Sequence, residues 1–339
     1  MRPALALFLW PLGIPFATAA YDPSTSNNVA VYWGQNSAGG TNTQRSLIEV
    51  CETAQDIDII LLAFLISATN IDGGLNFANA FRPTEQEIHA CQADHHKTLL
   101  LSLGGAATDN TWAFTNQDMA EDAANKIWAA FGPAGQAAIR PFGSASVNGF
   151  DLDFEAPYPN SDAFAKRLRT LMDEEIEKNS SSKLYLSAAP QCPFLDEYLA
   201  HVLQGPTSTH LDFVFIQFYN NPPCDLRPSA INGHKTSIAQ WDAWAAQSHS
   251  KIFLGVPAAE TAVGAANRES YVAGPDVANH ITSAKAFPSF AGVMIWDVSQ
   301  LDVNAPFLPP IVSALGGNQS GNATGKSIGY SKHRHRHAK

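Results

Sequence analysis

Eight hydrophobic runs with strand character, each followed by a segment that reads as helix, predict an α/β protein: a single-domain (β/α)8 barrel of the TIM type. Two further observations favour the closed barrel over an open, doubly wound sheet. No G-x-G-x-x-G turn follows the first run. Polar and aromatic groups gather where the runs end, which is where barrels carry their chemistry.

Taken in order, the runs are residues 29–33, 57–65, 98–103, 149–155, 184–189, 213–219, 252–256 and 292–296. Helical candidates follow at 44–54, 85–93, 118–131, 162–178, 196–203, 237–247, 275–286 and 306–315. The first run closes on Tyr32-Trp33-Gly34-Gln35, the fourth on Glu155, the sixth on Tyr219 and Asn220, and the eighth on Trp296 and Asp297. The barrel is expected to occupy residues 27–315.

The segments on either side read differently. Residues 1–20 have the pattern of a secretory signal: Arg2, an apolar run over 4–16, then the small residues Ala17-Thr18-Ala19-Ala20. That run holds prolines and is too short to span a bilayer, and no later stretch is long and apolar enough to do so. Residues 316–339 are rich in Gly, Ser and Asn and end in a basic, His-rich run, the composition of a disordered tail. Adhesion to an acidic wall polymer, adventitious metal binding and a plain solvated tail all fit it.

Export implies an oxidising compartment, secreted, extracellular or in the cell wall, so the four cysteines are read as disulfides rather than metal ligands. On a barrel, Cys51 and Cys91 fall in neighbouring outer helices, and Cys192 and Cys224 in the loops after strands five and six. Cys51–Cys91 with Cys192–Cys224 is therefore chosen among three connectivities, the others remaining open. Asn179, Asn318 and Asn322 begin Asn-x-Ser/Thr glycosylation acceptors. The net charge of −10 argues against a nucleic-acid partner. The 11 histidines show no metal-ligand spacing outside the tail, so neither a metal nor a cofactor is assigned.

The most informative stretch is Val147-Asn148-Gly149-Phe150-Asp151-Leu152-Asp153-Phe154-Glu155. Side chains on a strand alternate faces. Phe150, Leu152 and Phe154 therefore share one face, and Asp151, Asp153 and Glu155 stack in a row on the other. Like charges that close cannot all ionise cheaply, so at least one carboxyl pKa is driven up and a proton is held among them. The result is an acid available near neutral pH.

These residues resemble the family 18 glycoside hydrolases, in particular the plant- and fungal-type class III chitinases. The family's D-x-x-D-x-D-x-E signature aligns with 148–155, and its S-x-G-G signature with Ser102-Leu103-Gly104-Gly105. Further matches are Tyr32-Trp33-Gly34-Gln35-Asn36, Ala188-Ala189-Pro190-Gln191-Cys192-Pro193, Gln217-Phe218-Tyr219-Asn220 and Met294-Ile295-Trp296. One position departs: Asn148 stands where the family's first Asp does. Lying three residues before the row, it is expected to tune the buried hydrogen-bond network, and with it rate and pH optimum, rather than abolish the chemistry.

The resemblance implies a substrate-assisted mechanism in which the substrate's own acetamido group takes the place of a protein nucleophile. Glu155 is then the general acid and base, Asp153 holds the acetamido N–H, Asp151 shares protons behind it, and Tyr219 holds the acetamido oxygen. Gln217 and Asn220 are polar neighbours, and Trp296 is a stacking floor beneath the sugar. Tyr32 and Phe64 are candidates for the same pocket, Phe64 equally for the core. Gly104 and Gly105 either let backbone approach a sugar or make a tight turn.

The stretch between residues 256 and 292 is too short for the α+β domain that deepens the cleft of bacterial-type relatives. The resemblance thus implies a shallow groove and internal cuts in chitin or N-acetylglucosamine oligosaccharides, by a monomer without a separate chitin-binding module. Three other readings compete. They are an endo-β-N-acetylglucosaminidase, a non-catalytic lectin or inhibitor on the same barrel, and a structural wall protein, which leaves the carboxylate row unexplained.

Overall fold

Strand β1 (Asn28–Trp33) pairs with β2 (Ile59–Leu65), and the parallel pairing runs on through β3 (Thr98–Gly104), β4 (Gly149–Asp153), β5 (Tyr185–Ala188), β6 (Phe213–Gln217), β7 (Lys251–Pro257) and β8 (Phe290–Trp296). β8 returns to β1 and closes the barrel. This is the (β/α)8 architecture expected from the sequence. The structure is a computed structural model that describes residues 21–40, 44–78, 82–106, 108, 110–133, 137–205 and 210–316. The expected signal at 1–20 lies outside the described residues, as does the tail after Gly316, including Asn318 and Asn322.

The outer ring is formed by α1 (Leu47–Thr53), α2 (Glu85–Ala93), α3 (Gln117–Phe131), α4 (Ser161–Lys178), α5 (Ala200–Leu203), α6 (Ile231–Ser248), α7 (Gly274–Ala284), α8 (Val298–Val303) and α9 (Leu308–Leu315). Several helices start where side chains satisfy the free N–H groups of a first turn. Ser46 with Glu49, and Thr84 with Glu87, form reciprocal capping boxes. Asn116 caps α3, and Asp297 caps α8, a turn that periodicity alone does not reveal.

Strand alternation divides the core in two. Outward residues such as Ile60, Leu62, Phe150, Leu152, Val214 and Ile216 pack beneath the helices, whereas Ile59, Leu61, Leu100, Phe213, Phe215 and Phe253 fill the barrel. At the end where the strands begin, Tyr21 sits edge-on to Phe213 and Tyr185, with ring centroids 4.7 and 5.0 Å away. The barrel is thereby plugged below, and its open space lies at the other end.

Cys51 is bonded to Cys91, and Cys192 to Cys224, the connectivity chosen from barrel neighbours. Asn179 is exposed at the end of α4. Between β7 and β8 the chain holds only short 3-10 turns and α7, with no inserted domain.

Some boundaries differ from expectation. β4 stops at Asp153 and β6 at Gln217, two residues short in each case, because both strands splay into loops at the open end. Helix α5 begins at Ala200 rather than at residue 196, since Asp196 turns inward to accept backbone N–H groups.

Candidate active site

The register of three strands places Ser102, Asp151 and Ser187 side by side inside the barrel. Ser102 donates to one Asp151 oxygen at 2.7 Å and Ser187 to the other at 2.7 Å. Tyr32, from β1, adds a third hydroxyl at 2.9 Å. Asp151 is fully buried, and burial raises its pKa, while the three hydroxyls work against that rise by stabilising the charged form.

Asp153 lies one strand repeat further up, opposite Gly104. A side chain at Gly104 would place its Cβ 2.4 Å from the Asp153 carbonyl oxygen, and the glycine also has φ +112°. Only glycine fits that position. Asp153 accepts from the Gln217 amide at 3.1 Å, and Gln217 is in turn anchored on the Ala189 carbonyl at 3.0 Å. With fewer donors than Asp151, Asp153 is pushed well above the usual carboxylate range. Burial is the main cause, followed by the negative charges of Glu155, Asp151 and Asp196.

Glu155 stands two residues beyond the end of β4 and is half-buried. Its pKa is raised, chiefly by burial, with Gln217 opposing and Asp196 adding to the rise. None of the ion pairs among the described residues involves Asp151, Asp153, Glu155 or Asp196. A set of carboxyls shielded from water and from cations lowers its energy by retaining protons. Asp151 accepts from three hydroxyls and Asp196 from three backbone N–H groups, so the protons belong on Asp153 and Glu155.

Tyr219 is buried two residues past β6, and its pKa is held well above its usual value by burial and by Asp153 and Glu155. Its hydroxyl therefore remains a donor at any working pH. Trp296 at the end of β8 stacks on Phe64 at 6.1 Å and meets Tyr32 edge-on at 5.3 Å, giving an aromatic wall opposite the carboxyls. The peptide bonds Ala63–Phe64 and Trp296–Asp297 are cis.

These groups line a cavity of about 470 Å³ at the open end of the barrel. Asp153, Glu155, Tyr219, Gln217, Asn220, Trp296, Tyr32 and Phe64 all reach it. Asp151 does not, being sealed beneath Asp153. The expected row of three carboxyls is thus two in the cavity and one below. Gly104 and Gly105 are not among its lining residues: the space beyond each glycine is filled by Asp153 and by the Phe64 ring, and Ala106 reaches the cavity instead.

Asn148 also lies apart from the carboxyls. Its side-chain oxygen accepts from Leu99 N–H at 3.0 Å and from Gln92 at 2.8 Å, tying β4 to β3 and α2. Asp196 and Ser187 carry no role in the sequence reading. Ser187 was within reach of register reasoning, but Asp196 resembles an ordinary helix start. Among the described residues no group of three or more His, Cys, Asp or Glu is placed to hold a metal ion. No helix among them is long and apolar enough to cross a membrane.

Residues 28–285, which include every strand up to β7 and all the carboxyls above, match the model of glycosyl hydrolases family 18. The chain belongs to this family. The family 18 chain is 37% identical to "Endochitinase 33" of Trichoderma harzianum over 89% of its own length and 96% of that protein. It is 36% identical to a "Class III chitinase" of Arthroderma benhamiae over 91% of each chain. Among solved structures, the family 18 chain superposes on the ICChI chitinase of Ipomoea carnea with TM-score 0.65 and 27% identity, covering 85% of this chain and 99% of that one. A xylanase and alpha-amylase inhibitor protein, XAIP-II of Scadoxus multiflorus, superposes with TM-score 0.65 and 28% identity, covering 84% and 98%.

Proposed function

We propose that this family 18 hydrolase is a secreted endochitinase that cleaves internal β-1,4 links between N-acetylglucosamine units with retention of configuration. The observation that carries the reading is the convergence of Asp153, Glu155, Tyr219 and Trp296 on one cavity. The names of the two fungal relatives agree with it.

In this reading Glu155, protonated because its pKa is raised, gives its proton to the glycosidic oxygen as the C1–O bond breaks. The carbonyl oxygen of the substrate's 2-acetamido group forms the new bond to C1, leaving an oxazolinium ion. Protonated Asp153 passes its proton towards Asp151 as it turns to the acetamido N–H, and its negative charge offsets the cation. The Tyr219 hydroxyl donates to the acetamido oxygen and keeps it in line. Trp296 supports the apolar face of the sugar. Water then adds to C1 from the side the leaving group vacated as the bond from C1 to the acetamido oxygen breaks and restores the acetamido group, and the water's proton goes to the Glu155 carboxylate. The acid is regenerated and the β configuration kept.

The two disulfides support an exported protein, with residues 1–20 as its signal and 316–339 as a tail. The absence of an inserted domain between β7 and β8 supports an open groove and internal cuts.

The likeness to XAIP-II favours a second reading, a barrel that binds without turnover. Hydrolysis of N-acetylglucosamine hexamer, with product anomers followed by NMR beside a Glu155→Gln variant, separates the two. Initial β-anomer from the unaltered protein, with the rate reduced about 100-fold or more in the variant, supports the chitinase. Binding without cleavage from pH 4 to 8 supports the inhibitor or lectin. Release of glycans from N-glycoproteins in preference to chitin oligomers would instead identify an endo-β-N-acetylglucosaminidase.

A further inference from the structure

The cavity has two unlike arms. From β1 to β3 it is bounded by Tyr32, Gln35, Phe64 and Ala106, which with Trp296 make a largely aromatic floor. On the far side of Glu155, from β5 to β7, Gln217 and Tyr219 reach the cavity, and beyond them it is bounded by the amides Gln191, Asn220, Asn221 and Asn267. In the hydrolase reading above, the sugar stacked on Trp296 is the retained one, so the departing part of the chain lies across Glu155, on the amide side.

Asn220 holds that second arm in place. It sits in the left-handed region at φ 60°, a conformation asparagine tolerates better than most residues. Its side-chain oxygen accepts the Gly264 N–H at 3.1 Å, and its own N–H donates to Ser270 Oγ at 3.2 Å. The Ser270 hydroxyl donates to the Asn267 carbonyl at 2.7 Å, and the Asn267 N–H donates to the Gly264 carbonyl at 2.7 Å. One residue on the β6 loop thus grips both ends of the turn Gly264–Ser270. That turn presents the half-buried Asn267 side chain to the cavity, while its backbone is spent on the clamp.

We propose that Asn220 is a positioning residue that fixes the Gly264–Ser270 turn as the wall of the leaving-group side. On that wall, Asn267 is the specificity-determining residue that hydrogen-bonds the departing amino sugar through its amide. The inference rests on the hydrolase reading above. A planar amide offers both donors and an acceptor, which suits a ring bearing hydroxyls and an acetamido group.

The test compares kcat/KM for N-acetylglucosamine hexamer with that for a chitotriose glycoside of an aryl alcohol, whose leaving group has no sugar. Asn267→Ala, Asn220→Ala and Gly264→Pro are expected to lower the hexamer-to-aryl ratio about tenfold, mainly through the KM of the hexamer, and to shift the position of cleavage. Gly264→Pro removes the clamped N–H and sets its Cδ where that hydrogen pointed, which pushes the Asn220 side chain off while the turn's own backbone accepts the ring. Gly264 has φ −57° and ψ 142°, its predecessor Val263 is extended at φ −112° and ψ 159°, and a Cβ at Gly264 would meet only ordinary contacts at 3.8 Å. Asn220→Asp, which still accepts from Gly264, is expected to restore the ratio.

An unchanged ratio in Asn267→Ala, with both substrates affected alike or neither, overturns the role of Asn267. An unchanged ratio in Asn220→Ala and Gly264→Pro overturns the clamp. Failure of the unaltered protein to cleave either substrate overturns the hydrolase reading and this inference with it.

Discussion

The hydroxyl of Tyr32 donates to the carboxylate of Asp151 at 2.9 Å across 119 residues of sequence. This bond ties the aromatic wall to the buried end of the carboxyl set. With Ser102 and Ser187 it gives Asp151 three hydroxyl donors, against one side-chain donor for Asp153. Tyr32→Phe removes a hydrogen bond to a charged, buried acceptor, which costs about 1.5–3 kcal/mol. Urea denaturation at pH 7 is expected to show that loss. A variant as stable as the parent would mean that Asp151 is not ionised there.

Asp153 keeps its proton when folded at pH values where an unfolded aspartate, with a pKa of about 4, has lost it. The folded state then binds more protons than the unfolded one. Stability contributed by this site is accordingly highest in acid and falls as pH rises from about 4 towards the raised folded value. Asp153→Asn, which cannot ionise, is expected to raise the melting temperature at pH 7 more than at pH 4. An equal effect at both pH values would contradict the raised pKa.

Asp196 is buried beside the acid and adds its negative charge to the causes that raise both Asp153 and Glu155. Removing a negative neighbour makes each of these groups easier to ionise. Asp196→Asn is therefore expected to move the alkaline limb of the kcat/KM profile to lower pH, because the protonated acid is lost earlier. A limb that stays in place while the overall rate falls would assign Asp196 to loop architecture alone, through its bonds to the N–H groups of Gln191, Tyr198 and Leu199.

Asn148 serves two donors through one oxygen and faces α2, away from the cavity. An aspartate would accept from both equally well. Asn148→Asp is expected to leave the pH optimum where it is and to change stability by less than about 1 kcal/mol. A shifted optimum would show that this position reaches the carboxyls after all.

Much of the site was legible in the chain because strand periodicity has a period of two. That rule alone separates Asp151 and Asp153 from Phe150, Leu152 and Phe154, and the structure places the two sets in the barrel and beneath the helices. It holds as far as Glu155, which lines the cavity with Asp153 although β4 ends two residues earlier. It is silent on Asp196, whose position in a loop has no period to read.

The sequence by itself determined the alternation of strands and helices, the order of the motifs along it and the set of residues brought to the strand ends, since these follow from local spacing and side-chain chemistry. Only the tertiary structure decided how those residues are used. It seals Asp151 under three hydroxyls and turns Asn148 away from the acids. It also spends the freedom of Gly104 on the approach to β4 and sets Asn220 to hold a loop from a different strand. Each of these depends on contacts between segments far apart in the chain. Such contacts are fixed by the closure and register of the barrel, which no local pattern encodes.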